Sequence, residues 1–180
     1  MPAHPIPLRA QWISIEHAKV TDTLADWLLE SGSLTKRLKS QCQQFAVEVL
    51  SEKVVASRFC DHAIFKPPGT NVRVREVLLF CDNEPMVYAQ TWLPEQQSEQ
   101  GVDLAHLGNN PLGEVIFQDP QIQRVGMEVA DFAHNQSLAE LTHSLKLPGG
   151  PLWGRRSCFN LTNQQIMVCE IFLPGAYPYL

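Results

Sequence analysis

The spacing of apolar residues near the N-terminus predicts two short helices that follow a proline-rich extended arm. Thr21 is a typical N-cap for a helix over 22–30, in which apolar residues recur at i, i+3 and i+4. Gly32 ends that helix, and Ser33 is expected to cap a second helix over 34–40. The pattern therefore predicts a helical hairpin at the front of the domain.

Beyond residue 44 the apolar positions alternate with polar ones, which is the pattern of β-strands. The predicted strands cover residues 45–49, 72–81, 86–93, 121–129, 152–161 and 166–173. Residues 53–57 either continue the first strand or pair with it. Turn residues at 82–85 and 162–165 join two of the strand pairs as hairpins.

Helical and loop patterns separate these strands. Two short helices are expected at 104–107 and 112–117, and an amphipathic helix is expected at 131–147. The segments 66–70 and 94–100 read as surface loops. Strands that are joined by hairpins and flanked by helices predict an α+β fold on a single antiparallel β-sheet.

Length and composition restrict the class of protein. A chain of 180 residues, 44% hydrophobic and 18% charged, is expected to form a single domain over residues 1–180. No apolar run approaches the roughly 20 residues of a transmembrane helix, and the N-terminus lacks the layout of a signal peptide. Five cysteines without a Cys-x-x-Cys pair indicate reduced thiols. We therefore expect a cytoplasmic protein without membrane insertion.

The distribution of charge suggests what the protein binds. A net charge of −5 argues against a nucleic-acid partner, which requires a basic face. Arginines are nevertheless concentrated in or beside predicted strands, at positions 73, 75, 124, 155 and 156. Cations in this arrangement are suited to a small anionic ligand that is held inside the protein.

The last predicted strand contains a single carboxylate, Glu170, in an otherwise apolar run. An ionised carboxylate in such a place is unfavourable unless a cation or a bound ligand compensates it. The candidate partners are Arg75, inside the apolar strand 72–81, and the adjacent pair Arg155 and Arg156. The residues alone leave two interpretations open: a structural ion pair that satisfies itself, or part of a ligand site.

Other candidate sites are weaker. The stretch 107–113 and the start of the second helix, Ser33–Leu34, could seat a carboxylate on free backbone N–H groups, although ordinary loops share these features. Six histidines are scattered without a complete ligand set, so no metal is expected. Motifs for phosphate loops, dinucleotides or nucleophilic serines are absent, so no cofactor is expected.

Four segments together resemble a known family. They read Asp-Trp-Leu-Leu-Glu-Ser-Gly-Ser-Leu-Thr-Lys-Arg at 26–37, Val-Arg-Glu-Val-Leu-Leu at 74–79, Leu-Gly-Asn-Asn-Pro-Leu-Gly at 107–113, and Leu-Trp-Gly-Arg-Arg-Ser at 152–157, leading to Glu-Ile-Phe-Leu-Pro at 170–174. In this order they resemble the chorismate pyruvate-lyases of bacterial ubiquinone biosynthesis. The resemblance implies a chorismate lyase-like fold, in which helical and loop flaps cover a buried ligand pocket.

The resemblance also implies an activity. Members of this family convert chorismate to 4-hydroxybenzoate and pyruvate, the first committed step of ubiquinone biosynthesis, without a cofactor. The implied partners are therefore the small-molecule substrate chorismate and the product 4-hydroxybenzoate, which is expected to be inhibitory. A monomer is expected.

The family's site residues can be placed on this chain. The resemblance assigns catalytic and ligand-binding roles to Arg75 and Glu170, and ligand-binding backbone N–H groups to Leu34 and Leu112. Most members have Met in place of Leu34, a difference of little consequence for a backbone contact. For the enolpyruvyl carboxylate of chorismate, we expect Arg155 or Arg156. The stretch 131–151 is longer than in the enterobacterial members.

A second function belongs to a different class. The effector-binding domains of some bacterial transcription regulators resemble this fold, and a non-catalytic small-molecule sensor would also present an arginine in a sheet pocket. Such domains normally follow a basic DNA-binding helix-turn-helix, for which there is no room before Trp12. This observation favours the enzyme.

Overall fold

The computed structural model describes residues 2–59, 62, 71–95, 108, 110–118, 120–161 and 164–180. In this part of the chain, six strands form one sheet: β1 (Phe45–Ala56), β2 (Asn71–Cys81), β3 (Glu84–Pro94), β4 (Gln123–Asp131), β5 (Trp153–Asn160) and β6 (Gln165–Phe172). The strand order is β1-β2-β3-β6-β5-β4, and all neighbours are antiparallel. The predicted α+β fold on a single antiparallel sheet is confirmed.

Four α-helices accompany the sheet in the described part of the chain: α1 (Asp22–Leu28), α2 (Leu34–Lys39), α3 (Leu112–Ile116) and α4 (Gln136–Ser144). The predicted N-caps of the first two helices are confirmed. The Thr21 hydroxyl accepts a hydrogen bond from the Leu24 N–H at 3.2 Å, and the Ser33 hydroxyl accepts one from the Lys36 N–H at 3.2 Å. Both helices end slightly earlier than predicted.

The predicted helix over 131–147 is too long. Asp131 is the last residue of β4, where it pairs with Trp153, and its carboxylate accepts the Ala133 N–H at 2.8 Å in a turn. Helix α4 begins only after Asn135, whose side chain caps it by accepting the Leu138 N–H at 3.0 Å. The leucine spacing identified the helix correctly, but local hydrogen bonds of Asp and Asn set its start.

The first predicted strand is longer than expected. It continues past a β-bulge between Val49 and Ser51, and β1 therefore includes residues 53–56 of the segment that was expected either to continue it or to pair with it, while Ser57 begins a 3-10 turn. The predicted loop at 66–70, the helix at 104–107 and most of the connection at 94–100 lie outside the described residues.

The sheet separates two apolar clusters. On one face, called the front face here, Leu79 and Phe172 pack with buried residues of α1 and α2 such as Leu28. On the opposite back face, a larger cluster joins the strands to α4 and to the N-terminal arm through residues such as Leu138 and Ile6. Both faces are thus covered, as the largely apolar strand β2 predicts.

A fully buried carboxylate, Glu76, holds the N-terminal arm on the back face. It accepts a hydrogen bond from the Ile6 N–H at 2.7 Å and another from the Tyr88 hydroxyl, and the His4 ring lies 2.9 Å away. Burial raises the pKa of the Tyr88 hydroxyl well above its ordinary value, and the charge of Glu76 adds to this. Glu76 therefore has a structural role on the back face, whereas the adjacent Arg75 points to the front face.

Candidate functional site

Side chains from four central strands form adjacent rows across the front face. Arg75 on β2 lies opposite Thr91 on β3, while in the neighbouring row Ala89 on β3 lies opposite Glu170 on β6, and Glu170 opposite Arg155 on β5. Arg75 and Glu170 are therefore two strands and two residues apart, which places their Cα atoms roughly 12 Å from each other. The side chains between them on β3 are small, and this leaves space above the sheet.

A pocket fills this space between the front face, α2 and α3. Residues from the strands and from both helices line it: Leu34, Thr35, Val47, Arg75, Val77, Leu79, Ala89, Thr91, Asn110, Pro111, Leu112, Gly113, Ile116, Phe117, Arg124, Arg155, Phe159, Val168 and Glu170. Five of the six predicted site residues are among them. Arg156 is not.

Arg75 forms one pole of the pocket. It is only 5% exposed, and its guanidinium donates hydrogen bonds to the backbone carbonyls of Gly108 and, at 3.5 Å, Asn110. Burial lowers the pKa of Arg75, and the charge of Glu52 partly opposes this shift. A cation removed from water in this way gains stability from an anionic ligand.

Glu170 forms the other pole, and its cationic partner is Arg155. The Arg155 Nε donates to the Glu170 Oε2 at 2.6 Å, and its Nη1 donates to the carbonyls of Leu28 and Glu30 at 3.2 and 2.8 Å. The Nε and Nη1 of Arg155 are thus engaged within the protein. Among the described residues no donor contacts the Glu170 Oε1, which can therefore accept a hydrogen bond from a ligand.

Arg156 points to the back face, so the expectation that it could bind a ligand in this pocket is wrong. Its Nε donates to the Glu128 Oε2 at 2.7 Å, and its guanidinium lies 4.5 Å from the centre of the Trp12 ring. The reason is the alternation of a strand: Arg155 pairs with Glu170 on the front face, and the next residue must face the other way.

Leu34 and Leu112 are the first residues of α2 and α3, where backbone N–H groups have no partner within the helix. Gly113 brings the two helices together, because a Cβ at this position would lie 3.1 Å from both the Ser33 and the Thr35 hydroxyl oxygens. An ion pair between Lys39 and Glu114 also joins them. The two helices therefore close over the sheet as a pair.

Arg124 is a pocket residue that was not among the predicted site residues. Counting back from Val129 by strict alternation would put residue 125, not 124, on the front face. A register shift between Arg124 and Met127, with Gly126 at φ +97°, moves Arg124 to the front face opposite Phe159. The isolated glycine inside a strand pattern is the sequence signal that could have revealed this bulge.

The guanidinium of Arg124 is partly buried between backbone carbonyls and aromatic rings. Its Nη1 donates to the carbonyls of Glu30 and Ser31 at 2.9 and 3.2 Å, and its centre is 5.1 Å from the Phe159 ring and 5.6 Å from the Phe117 ring. Its Nε is buried and has no partner among the described residues. Burial lowers the pKa of Arg124, and the nearby Arg155 lowers it further.

The charges that line the pocket do not balance. Three guanidinium groups, of Arg75, Arg124 and Arg155, face a single carboxylate, that of Glu170. The described lining therefore carries a formal excess of two positive charges in a largely apolar setting. Such a pocket is complementary to a small dianion.

A second cavity, of about 470 Å³, lies on the back face between the sheet and the N-terminal arm. Trp12, Trp92, Met167 and Arg156 are among its lining residues. The Arg75 and Glu170 side chains do not reach it, because they point to the opposite face of the sheet.

Other chemical features are limited in the described residues. They contain no cluster of three or more His, Cys, Asp or Glu side chains arranged to hold a metal ion. No helix in this part of the chain is long and apolar enough to cross a membrane. Burial raises the pKa of Cys81 to about 12 and that of Cys158 to about 11, which suppresses the reactive thiolate forms of these two residues.

Comparison with known proteins gives the family. The chorismate lyase family model matches residues 6–179, nearly the whole chain. The chain belongs to the chorismate lyase family. One relative, the probable chorismate pyruvate-lyase of Pseudoalteromonas translucida, is 44% identical to this chain over 97% of this chain and 98% of its own length. That of Shewanella frigidimarina is 41% identical over 87% of this chain and 84% of its own.

Solved structures similar to this chorismate lyase-family chain share its fold at low sequence identity. A putative transcriptional regulator from Streptomyces coelicolor superimposes with a TM-score of 0.54 at 16% identity, covering 74% of this chain and 89% of that one. The ligand-binding domain of a putative GntR-family regulator from Bordetella bronchiseptica gives 0.53 at 15% identity, covering 74% and 86%. This chain and the two regulator structures thus share the same fold.

Proposed function

We propose that this protein is a chorismate pyruvate-lyase that converts chorismate to 4-hydroxybenzoate and pyruvate in the front-face pocket. Family membership and relatives named as probable chorismate pyruvate-lyases support the reaction. The observation in the structure that carries the proposal is the excess of two positive charges in a largely apolar pocket, because chorismate is a dianion.

The reaction itself requires little from the protein. The bond between the ring and the enolpyruvyl oxygen breaks, its electrons leave with that oxygen, and the ring carbon that bears the hydroxyl loses its proton. The ring becomes aromatic, and enolpyruvate takes up a proton to give pyruvate. Because aromatisation supplies the driving force, the protein contributes binding, orientation and the exclusion of water.

Arg75 binds the ring carboxylate in this proposal. A guanidinium can hold a carboxylate with two parallel hydrogen bonds, and the N–H groups at Leu34 and Leu112 lie at the same pocket. The product 4-hydroxybenzoate retains the ring carboxylate of chorismate, so the same contacts bind substrate and product. Slow release and inhibition by 4-hydroxybenzoate follow, with α2 and α3 acting as flaps that open to release it.

Glu170 orients the ring in this proposal. Its Oε2 is engaged by Arg155, while its Oε1 is available to accept a hydrogen bond from the ring hydroxyl. The Glu170→Gln variant distinguishes orientation from proton abstraction. An orienting role predicts a loss of about 10–100-fold in kcat/KM, whereas a general base predicts activity near background. A thermal unfolding curve of the variant controls for the loss of the partner of Arg155.

The proposed activity is tested by incubating purified protein with chorismate and quantifying 4-hydroxybenzoate by absorbance and pyruvate by a coupled dehydrogenase. Equal amounts of the two products, formed in proportion to enzyme, are expected. If chorismate bound without being consumed, the sensor function seen in proteins of the same fold would replace the enzyme. The supply of 4-hydroxybenzoate to ubiquinone biosynthesis is the corresponding role in the cell.

A further inference from the structure

The two carboxylates of chorismate require two cationic sites. Arg75 provides the site for the ring carboxylate, and the site for the second carboxylate remains to be assigned. Arg155, expected from the sequence for the second carboxylate, already donates from its Nε to Glu170 and from its Nη1 to two backbone carbonyls. Arg124 is the remaining cation in the pocket lining. We infer, building on the proposed function, that Arg124 binds the enolpyruvyl carboxylate of chorismate.

The first argument is position. Arg124 and Arg155 both donate from Nη1 to the carbonyl oxygen of Glu30, at 2.9 and 2.8 Å, so the two guanidinium groups are close neighbours. Arg124 therefore lies at the Glu170 end of the pocket. In chorismate the enolpyruvyl group is attached to the carbon next to the one that bears the hydroxyl. A ring held by Arg75 and Glu170 thus directs its second carboxylate to the Glu170 end.

The second argument is an unmet hydrogen bond. The Nε of Arg124 is buried without a partner in the described part of the chain, and a buried donor without an acceptor is unfavourable. A carboxylate beside Arg124 would provide that acceptor. It would also offset the repulsion between the neighbouring cations Arg124 and Arg155.

The third argument is the surroundings. The guanidinium of Arg124 is partly buried and lies 5.6 and 5.1 Å from the centres of the Phe117 and Phe159 rings. An ion pair formed in such a place is stronger than one at the surface. The bulge at Gly126 gives this arrangement its geometry, since an unbulged β4 would turn Arg124 away from the pocket.

The inference gives Arg124 a role that the product cannot reveal. 4-Hydroxybenzoate lacks the enolpyruvyl group, so it contacts Arg75 but has nothing to place on Arg124. Substrate affinity and turnover should therefore depend on Arg124, while product affinity should not. An alternative role for Arg124 is purely structural, as an anchor for the carbonyls of Glu30 and Ser31. In that case its loss would weaken substrate and product binding alike.

The experiment compares both ligands in two variants. For Arg124→Met we expect kcat/KM for chorismate to fall about 10–150-fold, while the Kd for 4-hydroxybenzoate, measured by titration calorimetry, changes less than about threefold. Arg124→Lys should recover part of the loss, because it restores the charge but not the planar fork. Arg156→Met is the matched control: it removes the same charge from the back face and should leave both quantities near wild type.

Three results would overturn the inference. These are equal losses for chorismate and 4-hydroxybenzoate, wild-type chorismate kinetics in Arg124→Met, and a failure of Arg124→Lys to exceed Arg124→Met. If Arg124→Met does not fold, as judged by thermal unfolding, Arg124→Lys carries the same comparison of the two ligands. If the wild-type protein does not turn over chorismate, the proposed function is wrong. If the wild type is active and the Arg124 variants have the same chorismate kinetics, only this inference is wrong.

Discussion

Replacement of Arg75 by alanine should remove the grip on the ring carboxylate that substrate and product share. Arg75 is 5% exposed and lies at one end of the pocket. Two charge-assisted hydrogen bonds of about 1.5–3 kcal/mol each amount to about 3–6 kcal/mol, or a loss of ~10²–10⁴ in kcat/KM. Arg75→Lys keeps the positive charge but can form only one of the two hydrogen bonds, so its kcat/KM should fall about 10–100-fold.

The assay follows 4-hydroxybenzoate formation at several chorismate concentrations, together with the Kd for 4-hydroxybenzoate. Arg73→Ala is the matched control, because Arg73 is on the same strand and face but outside the pocket, paired with Glu52 at 3.1 Å. Its kcat/KM should remain within about twofold of wild type, since partly exposed ion pairs contribute little. Thermal unfolding of each variant separates lost binding from a disturbed loop, because Arg75 also holds the carbonyls of Gly108 and Asn110.

Retention of kcat/KM within about threefold in a folded Arg75→Ala variant would refute this role. An unchanged product Kd in that variant would do the same, because the product retains the ring carboxylate. If kcat/KM fell equally in Arg75→Ala and Arg73→Ala, the loss would reflect the removal of positive charge from the strand and not a specific contact of Arg75.

Two other substitutions test the space and packing around the site. Ala89→Leu should fill the floor of the pocket between Arg75 and Glu170, reduce kcat/KM at least about 100-fold and abolish 4-hydroxybenzoate binding; normal binding would show that the ligand lies elsewhere. Gly154→Ala should destabilise the protein by about 1–3 kcal/mol, lowering Tm by roughly 2–10 °C. The reason is that a Cβ there would lie 2.9 Å from Ile171 and 3.0 Å from the backbone oxygen of Glu170. Gly149→Ala, where a Cβ meets no atom within 4 Å, is its control, and equal Tm values for both variants would contradict the packing argument.

The sequence pattern predicted the sheet well because its strands are long and its hairpins local. The turn at 82–85 and the apolar runs beside it correspond to β2 and β3 almost residue for residue. The helix predicted from residue 131 failed for a local reason. Asp131 and Asn135 use their side chains to accept backbone N–H groups, and this extends the strand and delays the helix.

The site was harder to predict than the fold, because it depends on which face of a strand each residue occupies. Arg155 and Arg156 are adjacent, and only the pairing of Arg155 with Glu170 decides that Arg156 faces the back. Arg124 depends on a one-residue bulge, which reverses the face of every residue before it. A strand's register is a property of its neighbours, so these assignments required the assembled sheet.

The likeness to the ligand-binding domains of regulators extends to the fold alone. A six-stranded antiparallel sheet with a pocket on one face is a scaffold that is compatible with binding alone. In this chain the front face carries a cation at one end of the pocket and an ion-paired carboxylate at the other. We expect these groups to convert a binding pocket into one that orients a breaking bond.

The crystal structure of the complex with 4-hydroxybenzoate tests most directly whether the reaction takes place between Arg75 and Glu170. We predict one product molecule on the front face, with its carboxylate on Arg75 and its hydroxyl on Glu170. Its ring should lie over Ala89, and no product atom should contact Arg124. A product molecule in the cavity of about 470 Å³ on the back face, with an empty front-face pocket, would contradict the account.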